Sequence, residues 1–97
     1  MKMPSTVEYN LLCALGAREI SGRDLAKRYE REQNTSISYG TLYTAMRRLK
    51  EGGWVDVRES DEGDRRVRYF KLSSSGAQHL PDLIKLQSTF DFGGATT

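Results

Sequence analysis

The stretch that decides the fold is Tyr39-Gly40-Thr41-Leu42-Tyr43-Thr44-Ala45-Met46-Arg47-Arg48-Leu49-Lys50-Glu51-Gly52-Gly53-Trp54-Val55. Its apolar residues recur at the 3.6-residue period of a helix that buries one face: Leu42, Ala45, Met46 and Leu49. Ser36 or Ser38 can cap the start of this helix, and Gly52-Gly53 can end it. We therefore predict a helix over about residues 37–51, the third of the chain.

The opposite face of this third helix is polar. From Ile37 to Lys50 the chain has three basic residues and no acidic one. An α-helix fits the major groove of B-DNA, where arginine can pair with guanine and threonine can touch a thymine methyl group. Small polar groups near the free amides of a helix N-terminus favour phosphate. We therefore predict DNA contacts from this face, by Ser38, Tyr39, Thr41, Tyr43, Thr44, Arg47, Arg48 and Lys50. An ordinary solvated helix face is the alternative, because most charge-rich faces are solvated.

Two shorter helices are predicted upstream. Ser5-Thr6-Val7-Glu8 and Ser21-Gly22-Arg23-Asp24 both have the spacing in which a serine hydroxyl accepts the amide three residues later. Apolar residues follow each signal at helical spacing. We predict a first helix over about residues 5–16 and a second over about 22–33.

The apolar period changes from helical to alternating after Gly53. Trp54–Arg58 and Val67–Leu72 alternate, and the polar turn Ser60–Asp64 lies between them. We predict a single β-hairpin, a wing, over about residues 54–72. A hairpin alone is marginal in water, so it must pack on the helices.

The second strand of this wing is rich in arginine. Arg66 and Arg68 share one face of a strand, where they can follow phosphates or enter the minor groove. Neighbouring acids, namely Asp61, Glu62 and Asp64, offer the alternative of internal ion pairs. We expect both, with pairing in the free protein and phosphate contacts in a complex, because exposed pairs contribute about 1 kcal/mol or less.

A short C-terminal helix is expected after the polar break Ser73–Gly76. Pro81 should kink or interrupt it, and residues 90–97 should fray. The division is a winged helix-turn-helix domain over residues 5–75 and a C-terminal helical segment over 76–97, a candidate for dimerisation. The fold class is mainly α with a small β-hairpin, in the order helix-helix-helix-strand-strand-helix.

Composition excludes several classes of protein. The chain has 97 residues, 15 basic and 13 acidic, with a formal net charge of +2, so a nucleic-acid site must come from how charge is placed. A single cysteine, Cys13, excludes an internal disulfide and fits a cytoplasmic protein. Its apolar runs are too short to span a membrane. We expect no metal, no cofactor and no enzymatic activity, because neither ligand sets nor a nucleophile–base pair is visible.

Taken together, Tyr39–Val55 and Gly63–Gly76 resemble the PadR family of transcriptional regulators. That family has a recognition helix of the form GTLY-x-x-L-x-x-L-x-x-x-G, followed by an apolar residue, and a wing that ends in R-x-x-Y-Y-x-L-T-x-x-G. The resemblance covers about residues 7–80. Thr44 stands where the family usually has proline.

The resemblance implies a homodimeric DNA-binding repressor. Its second and third helices and its wing would hold double-stranded DNA, and its first and C-terminal helices would form the dimer. By position, the resemblance places on the recognition helix Gly40, Thr41, Tyr43, Arg47 and Arg48. It places on the wing Arg65, Arg66 and Arg68. Some members also bind a small aromatic effector at the dimer interface.

A winged-helix module that binds proteins and not DNA is the competing function. The acids at the tip of the wing and the nearly balanced charge of the chain favour it. A hydrolase or transferase is a weaker third hypothesis, because paired carboxylates and a phosphate-binding loop are missing from the sequence.

Overall fold

Helices and a small antiparallel sheet make up the computed structural model, which describes the backbone of residues 2–96 and the side chains of residues 2–88. In this part of the chain the elements follow in the order α1 (Thr6–Leu15), β1 (Ile20–Ser21), α2 (Gly22–Gln33), α3 (Tyr39–Glu51), β2 (Val55–Glu62), β3 (Arg65–Leu72) and α4 (Ser74–Thr96). The predicted winged helix-turn-helix is confirmed, with one strand more than expected.

Serine side chains begin the first three helices. The Ser5 hydroxyl accepts from the amide of Glu8, whose carboxylate accepts from the Ser5 amide in return. Ser21 and Ser38 each accept from the amide three residues later, at 3.1 Å. Because Ser38 and not Ser36 is the cap, α3 starts at Tyr39, two residues later than predicted.

The core lies between α1, α2 and α3. Its largest fully buried side chains are Leu11, Leu12, Leu15, Leu25, Leu42, Met46 and Leu49. Each such side chain contributes about 1.5–3 kcal/mol when removed from water. Since α3 buries its predicted apolar stripe in this core, its polar face is directed outward.

The sheet has three strands in the order β1-β3-β2. The sequence pattern predicted only the two strands of the hairpin, so the prediction missed β1. It consists of Ile20 and Ser21, which pair with Phe70 and Tyr69 of β3. Two residues are too few to show the alternation by which strands are recognised.

The turn of the wing is tighter than predicted. Pairing continues to Glu62 opposite Arg65, so only Gly63 and Asp64 remain in the turn. Gly63 has a φ of 67°, which glycine adopts without steric cost. Ser60–Glu62 has turn-like composition but forms strand, because it pairs with Arg65–Val67 across the hairpin.

The helix after the wing is longer than the short helix that was expected, and Pro81 does not interrupt it. α4 spans Ser74–Thr96 with Pro81 inside it. Proline removes one backbone donor, but Leu80 and Leu83 on either side of it are buried, and their packing holds the helix to the core. The predicted fraying of residues 90–97 concerns a stretch whose side chains lie outside the described residues.

The start of α4 is attached to the base of the wing. The Ser73 amide donates to the carbonyl of Trp54 at 3.0 Å, and the Ser73 hydroxyl donates to the carbonyl of Gly53 at 2.6 Å. A β-carbon on Gly76 would lie 2.1 Å from the Trp54 carbonyl oxygen, so only glycine fits this approach. Trp54 itself is buried in the core, and its indole N–H donates to the carbonyl of Lys2.

None of the helices among the described residues combines the length and the apolar character that crossing a bilayer requires.

Candidate nucleic-acid interface

The polar face of α3 lies at the surface. Tyr43 is half-buried, and the other predicted contact residues of this face are exposed: Ser38, Tyr39, Gly40, Thr41, Thr44, Arg47, Arg48 and Lys50. The first acid along the helix is Glu51 at its end, which lies 4.0 Å from Arg47. The face therefore presents hydroxyl, aromatic and cationic groups over most of its length.

Tyr43 is the contact point between α3 and its neighbours. Its ring stacks with Tyr39 and meets Phe70 of β3, both at 6.1 Å between ring centres. On the α2 side, a β-carbon on Gly22 would lie 2.6 Å from the Tyr43 hydroxyl. The glycine at the start of α2 therefore leaves the space that the tyrosine occupies.

One face of the wing is directed toward α3, and we call it the inner face. Its pairs are Val57 with Phe70, Glu59 with Arg68, and Asp61 with Arg66. The contact between Phe70 and Tyr43 shows that this side meets the helix. Arg66 and Arg68 share this face of the strand, as predicted, and the face lies on the side of the hairpin that meets α3.

Arginines of the inner face form ion pairs with acids of β2. Arg66 lies 3.6 Å from both Glu59 and Asp61, and Arg68 lies 3.5 Å from Glu59. The partner Asp61 was anticipated, but Glu59 was not, because it becomes visible only when the strand register is known. These pairs are largely exposed, so each is weak enough for a phosphate to displace.

Arg68 also contacts α3. Its guanidinium carbon lies 5.2 Å from the centre of the Tyr43 ring, within the range of a cation–π interaction. Arg68 thus connects Glu59 of the wing with Tyr43 of α3.

The other side of the wing, its outer face, is tied to the body of the domain. Arg58 pairs with Glu19 at 2.8 Å and lies 4.6 Å from the centre of the Tyr69 ring. The Tyr69 hydroxyl donates to Glu62. The hydrogen bond from Arg58 lowers the pKa of Glu19, and the hydrogen bond to Glu62 raises the pKa of Tyr69.

Two grooves flank Tyr43. A groove of about 790 Å³ separates the start of α2 from the wing, and one of about 400 Å³ separates α3 from β2. Arg23 and Asp24 line the larger groove but were absent from the predicted site. Their only sequence signal was the helix-start motif, which indicates structure and not contact.

Three cations among the predicted contact residues form no ion pair with the described side chains. Among the side chains that the structure describes, Arg48, Lys50 and Arg65 form no ion pair. These charges need no rearrangement before they meet an external anion.

Several solved structures share this fold. Bacillus subtilis PadR, solved in complex with operator DNA, aligns with a TM-score of 0.72 and 24% identity over 82% of this chain. The chain spans 48% of that protein. A PadR family regulator from Eggerthella lenta aligns with a TM-score of 0.80 and 22% identity, over 94% of this chain and 80% of the other.

A Streptococcus mutans protein, smu.1704, is 26% identical with a TM-score of 0.71, over 94% of this chain and 87% of the other. A comparison with curated proteins found no match. The model of the transcriptional regulator PadR-like family matches residues 11–82, which include the three-helix core, the wing and the start of α4. The chain therefore belongs to the PadR-like family of transcriptional regulators.

Proposed function

We propose that this regulator binds double-stranded DNA sequence-specifically and acts as a repressor. In the proposal α3 enters the major groove, and the wing contacts the phosphate backbone or the minor groove. The observation that carries it is the side-by-side placement of the exposed polar face of α3 and the inner face of the wing. Family membership and the fold shared with a PadR that was solved with operator DNA support it.

Roles within the surface follow from residue chemistry. Arg47, Arg48 and Thr44 are suited to base edges in the major groove. Ser38, Tyr39, Gly40 and Thr41, at the start of α3, are suited to phosphate. Further phosphate contacts come from Lys50 near the end of α3, from Arg66 on the inner face of the wing, and from Arg65, which lies on the outer face beside the turn at the tip of the hairpin. Tyr43 and Arg68 complete the surface between helix and wing.

The proposal includes a cytoplasmic homodimer. Residues 5–75 form the DNA-binding part, and α1 and α4 associate with a second copy. Two copies would read half-sites about one helical turn apart, ~34–36 Å, or a multiple of it. Sedimentation or light scattering of the free protein and of its DNA complex measures this stoichiometry.

A small aromatic effector between the two copies is the regulatory part of the proposal. It rests on the family resemblance alone. Titration of a phenolic acid into the protein–DNA complex tests it, with release of labelled DNA as the signal.

Salt dependence is the first test of DNA binding. If about six phosphates are neutralised per dimer, the logarithm of the binding constant should fall against the logarithm of salt with a slope of about −5. The measurement uses fluorescence anisotropy with a duplex obtained by selection from random DNA. A flat dependence would contradict the proposal.

Separate roles for helix and wing give a second test. Arg47→Ala should lower the ratio of operator to random-duplex affinity by about tenfold, the cost of one base contact. Arg66→Ala should weaken both affinities alike, because phosphate contacts carry no sequence information. Arg58→Ala removes the same charge from the outer face and serves as the control that leaves both affinities nearly unchanged.

A protein-binding module without DNA affinity is the second candidate function. The ion pairs that occupy Arg66 and Arg68 favour it, since they lower the positive potential of the wing. Absence of any shift of random duplex at micromolar protein and low salt would support this candidate and refute DNA binding.

A further inference from the structure

The three arginines of β3 differ in their interactions. Arg66 forms ion pairs with two acids of β2, and Arg65 forms no ion pair among the described side chains. Arg68 alone of the three reaches the helix, with its guanidinium against Glu59 on one side and the Tyr43 ring on the other. Arg68 therefore lies between the two elements that would hold DNA.

The ring that Arg68 contacts is held in place from several sides. Tyr39 stacks on it from the preceding turn of α3, and Phe70 meets it from β3. The close approach to Gly22 fixes its hydroxyl end against α2. A guanidinium that lies on this ring therefore has a defined position relative to α2, α3 and β3.

Guanidinium chemistry suits this position. Its flat surface can lie on an aromatic ring while its edge donates to a carboxylate, whereas the ammonium group of lysine is a strongly hydrated point charge. Glu59 belongs to β2 and Tyr43 to α3, so the contact connects the inner face of the wing with the recognition helix.

We propose that Arg68 is a positioning residue, which sets the distance between wing and recognition helix by bridging Glu59 and Tyr43, and that it does not bind phosphate itself. The proposal rests on the proposed DNA-binding function. Phosphate contacts on the inner face of the wing then fall to Arg66. Because α3 and the wing must meet their parts of the duplex together, loss of the bridge lowers operator affinity more than affinity for random DNA.

Arg68→Lys tests the bridge while it conserves charge. We expect about a fivefold loss of operator affinity with little change for random duplex, as befits the loss of one cation–π contact. Arg58→Lys is the matched control, because Arg58 also pairs with a glutamate and lies on a tyrosine, but on the outer face. It should leave the affinity ratio unchanged, and thermal unfolding should show similar midpoints for the two variants.

Arg68→Gln tests the phosphate alternative. If Arg68 is a positioning residue, its replacement leaves the slope of log binding constant against log salt unchanged. If Arg68 binds a phosphate, its replacement reduces the magnitude of that slope by about 0.9 per copy. Arg66→Gln provides the comparison, since its slope should fall by that amount. A reduced slope for Arg68→Gln would overturn the proposal.

A double-mutant cycle tests whether Arg68 acts through the ring. Tyr43→Leu removes the ring, and the double variant with Arg68→Lys should lose no more operator affinity than Tyr43→Leu alone. Additive losses would refute the bridge. Absence of DNA binding by the unaltered protein would instead refute the proposed function, so the two failures are distinguishable.

Discussion

At the scale of single residues, Tyr43 determines how closely α2 and α3 approach at the surface. Its hydroxyl end occupies the space beside Gly22, where any side chain would collide with it. The tyrosine was predicted as a site residue, but the need for glycine opposite it could not be read from the sequence. That need arises from a contact between residues that are distant along the chain.

Gly22→Ala should therefore displace Tyr43. Its β-carbon would lie 2.6 Å from the hydroxyl oxygen, and such overpacking typically costs about 1–3 kcal/mol. We expect a lower free energy of unfolding in urea and weaker operator binding.

Gly40→Ala is the control for stability, because its β-carbon would have no neighbour closer than 3.9 Å. Alanine in place of a helical glycine should raise the free energy of unfolding by roughly 0.5–1 kcal/mol. Equal stability of the two variants would show that Gly22 and Tyr43 are not in contact.

Tyr69 should ionise at higher pH than an ordinary tyrosine, because its hydroxyl donates to Glu62. A raised pKa means that the hydrogen bond stabilises the fold fully below the ordinary tyrosine pKa. This contribution is lost as pH rises through the folded-state pKa. Ultraviolet titration of the native chain minus that of Tyr69→Phe isolates this group, and Glu62→Gln should return its pKa toward the ordinary value. A difference curve with its midpoint at the ordinary tyrosine pKa would contradict the hydrogen bond.

At the scale of elements, acidic side chains of the wing form ion pairs with the arginines that the proposal assigns to DNA. Asp61 lies 3.6 Å from Arg66 on the inner face. Asp61→Asn should raise DNA affinity by up to about fivefold, since an exposed pair contributes about 1 kcal/mol or less. Anisotropy titration at fixed salt measures the change.

Asp56→Asn is the matched control, because Asp56 lies on the outer face opposite Lys71. It should leave DNA affinity nearly unchanged. An equal gain from both variants would mean that total charge, and not the ion pair on the inner face, limits binding.

Elements with a strong local signal were predictable. The serine cap and the apolar period predicted α2 over about residues 22–33, where the structure has it. The alternation of Val67–Leu72 predicted the strand that the structure shows as β3. Elements and contacts that depend on residues distant along the chain could not be predicted. β1 exists because β3 lies beside it, and Glu59 joined the candidate site only through its register with Arg68. Helix α4 passes Pro81 because tertiary packing outweighs the missing hydrogen bond.

At the scale of the whole molecule, an apolar area is exposed near the N-terminus and α4. Met3, Ile84 and Leu86 are 63%, 40% and 44% exposed. Met3 and Leu86 line one groove together with Trp54 and Leu83, and a contiguous exposed apolar surface favours association. This groove supports the part of the proposed homodimer that uses α4.

Leu86→Glu should convert the dimer to a monomer. Loss of the second half-site contact should weaken operator binding by about a hundredfold or more and reduce the magnitude of the salt slope. Sedimentation measures the mass, and anisotropy measures the affinity. Gln78→Glu places the same charge elsewhere on α4 and is the control. A native-like mass for Leu86→Glu would place the dimer interface elsewhere.

The hydrogen bonds of Ser73 to the carbonyl groups of Gly53 and Trp54, with the Gly76 amide donating to the Ser73 hydroxyl, have a mechanical consequence. With 8 residues per strand, the wing extends about 26 Å from this corner. The Gly76 backbone packs against the Trp54 carbonyl so closely that a β-carbon would not fit there. In the proposed dimer, a small rotation of α4 would therefore move the tip of the wing over a larger distance and change the span between the two wing tips.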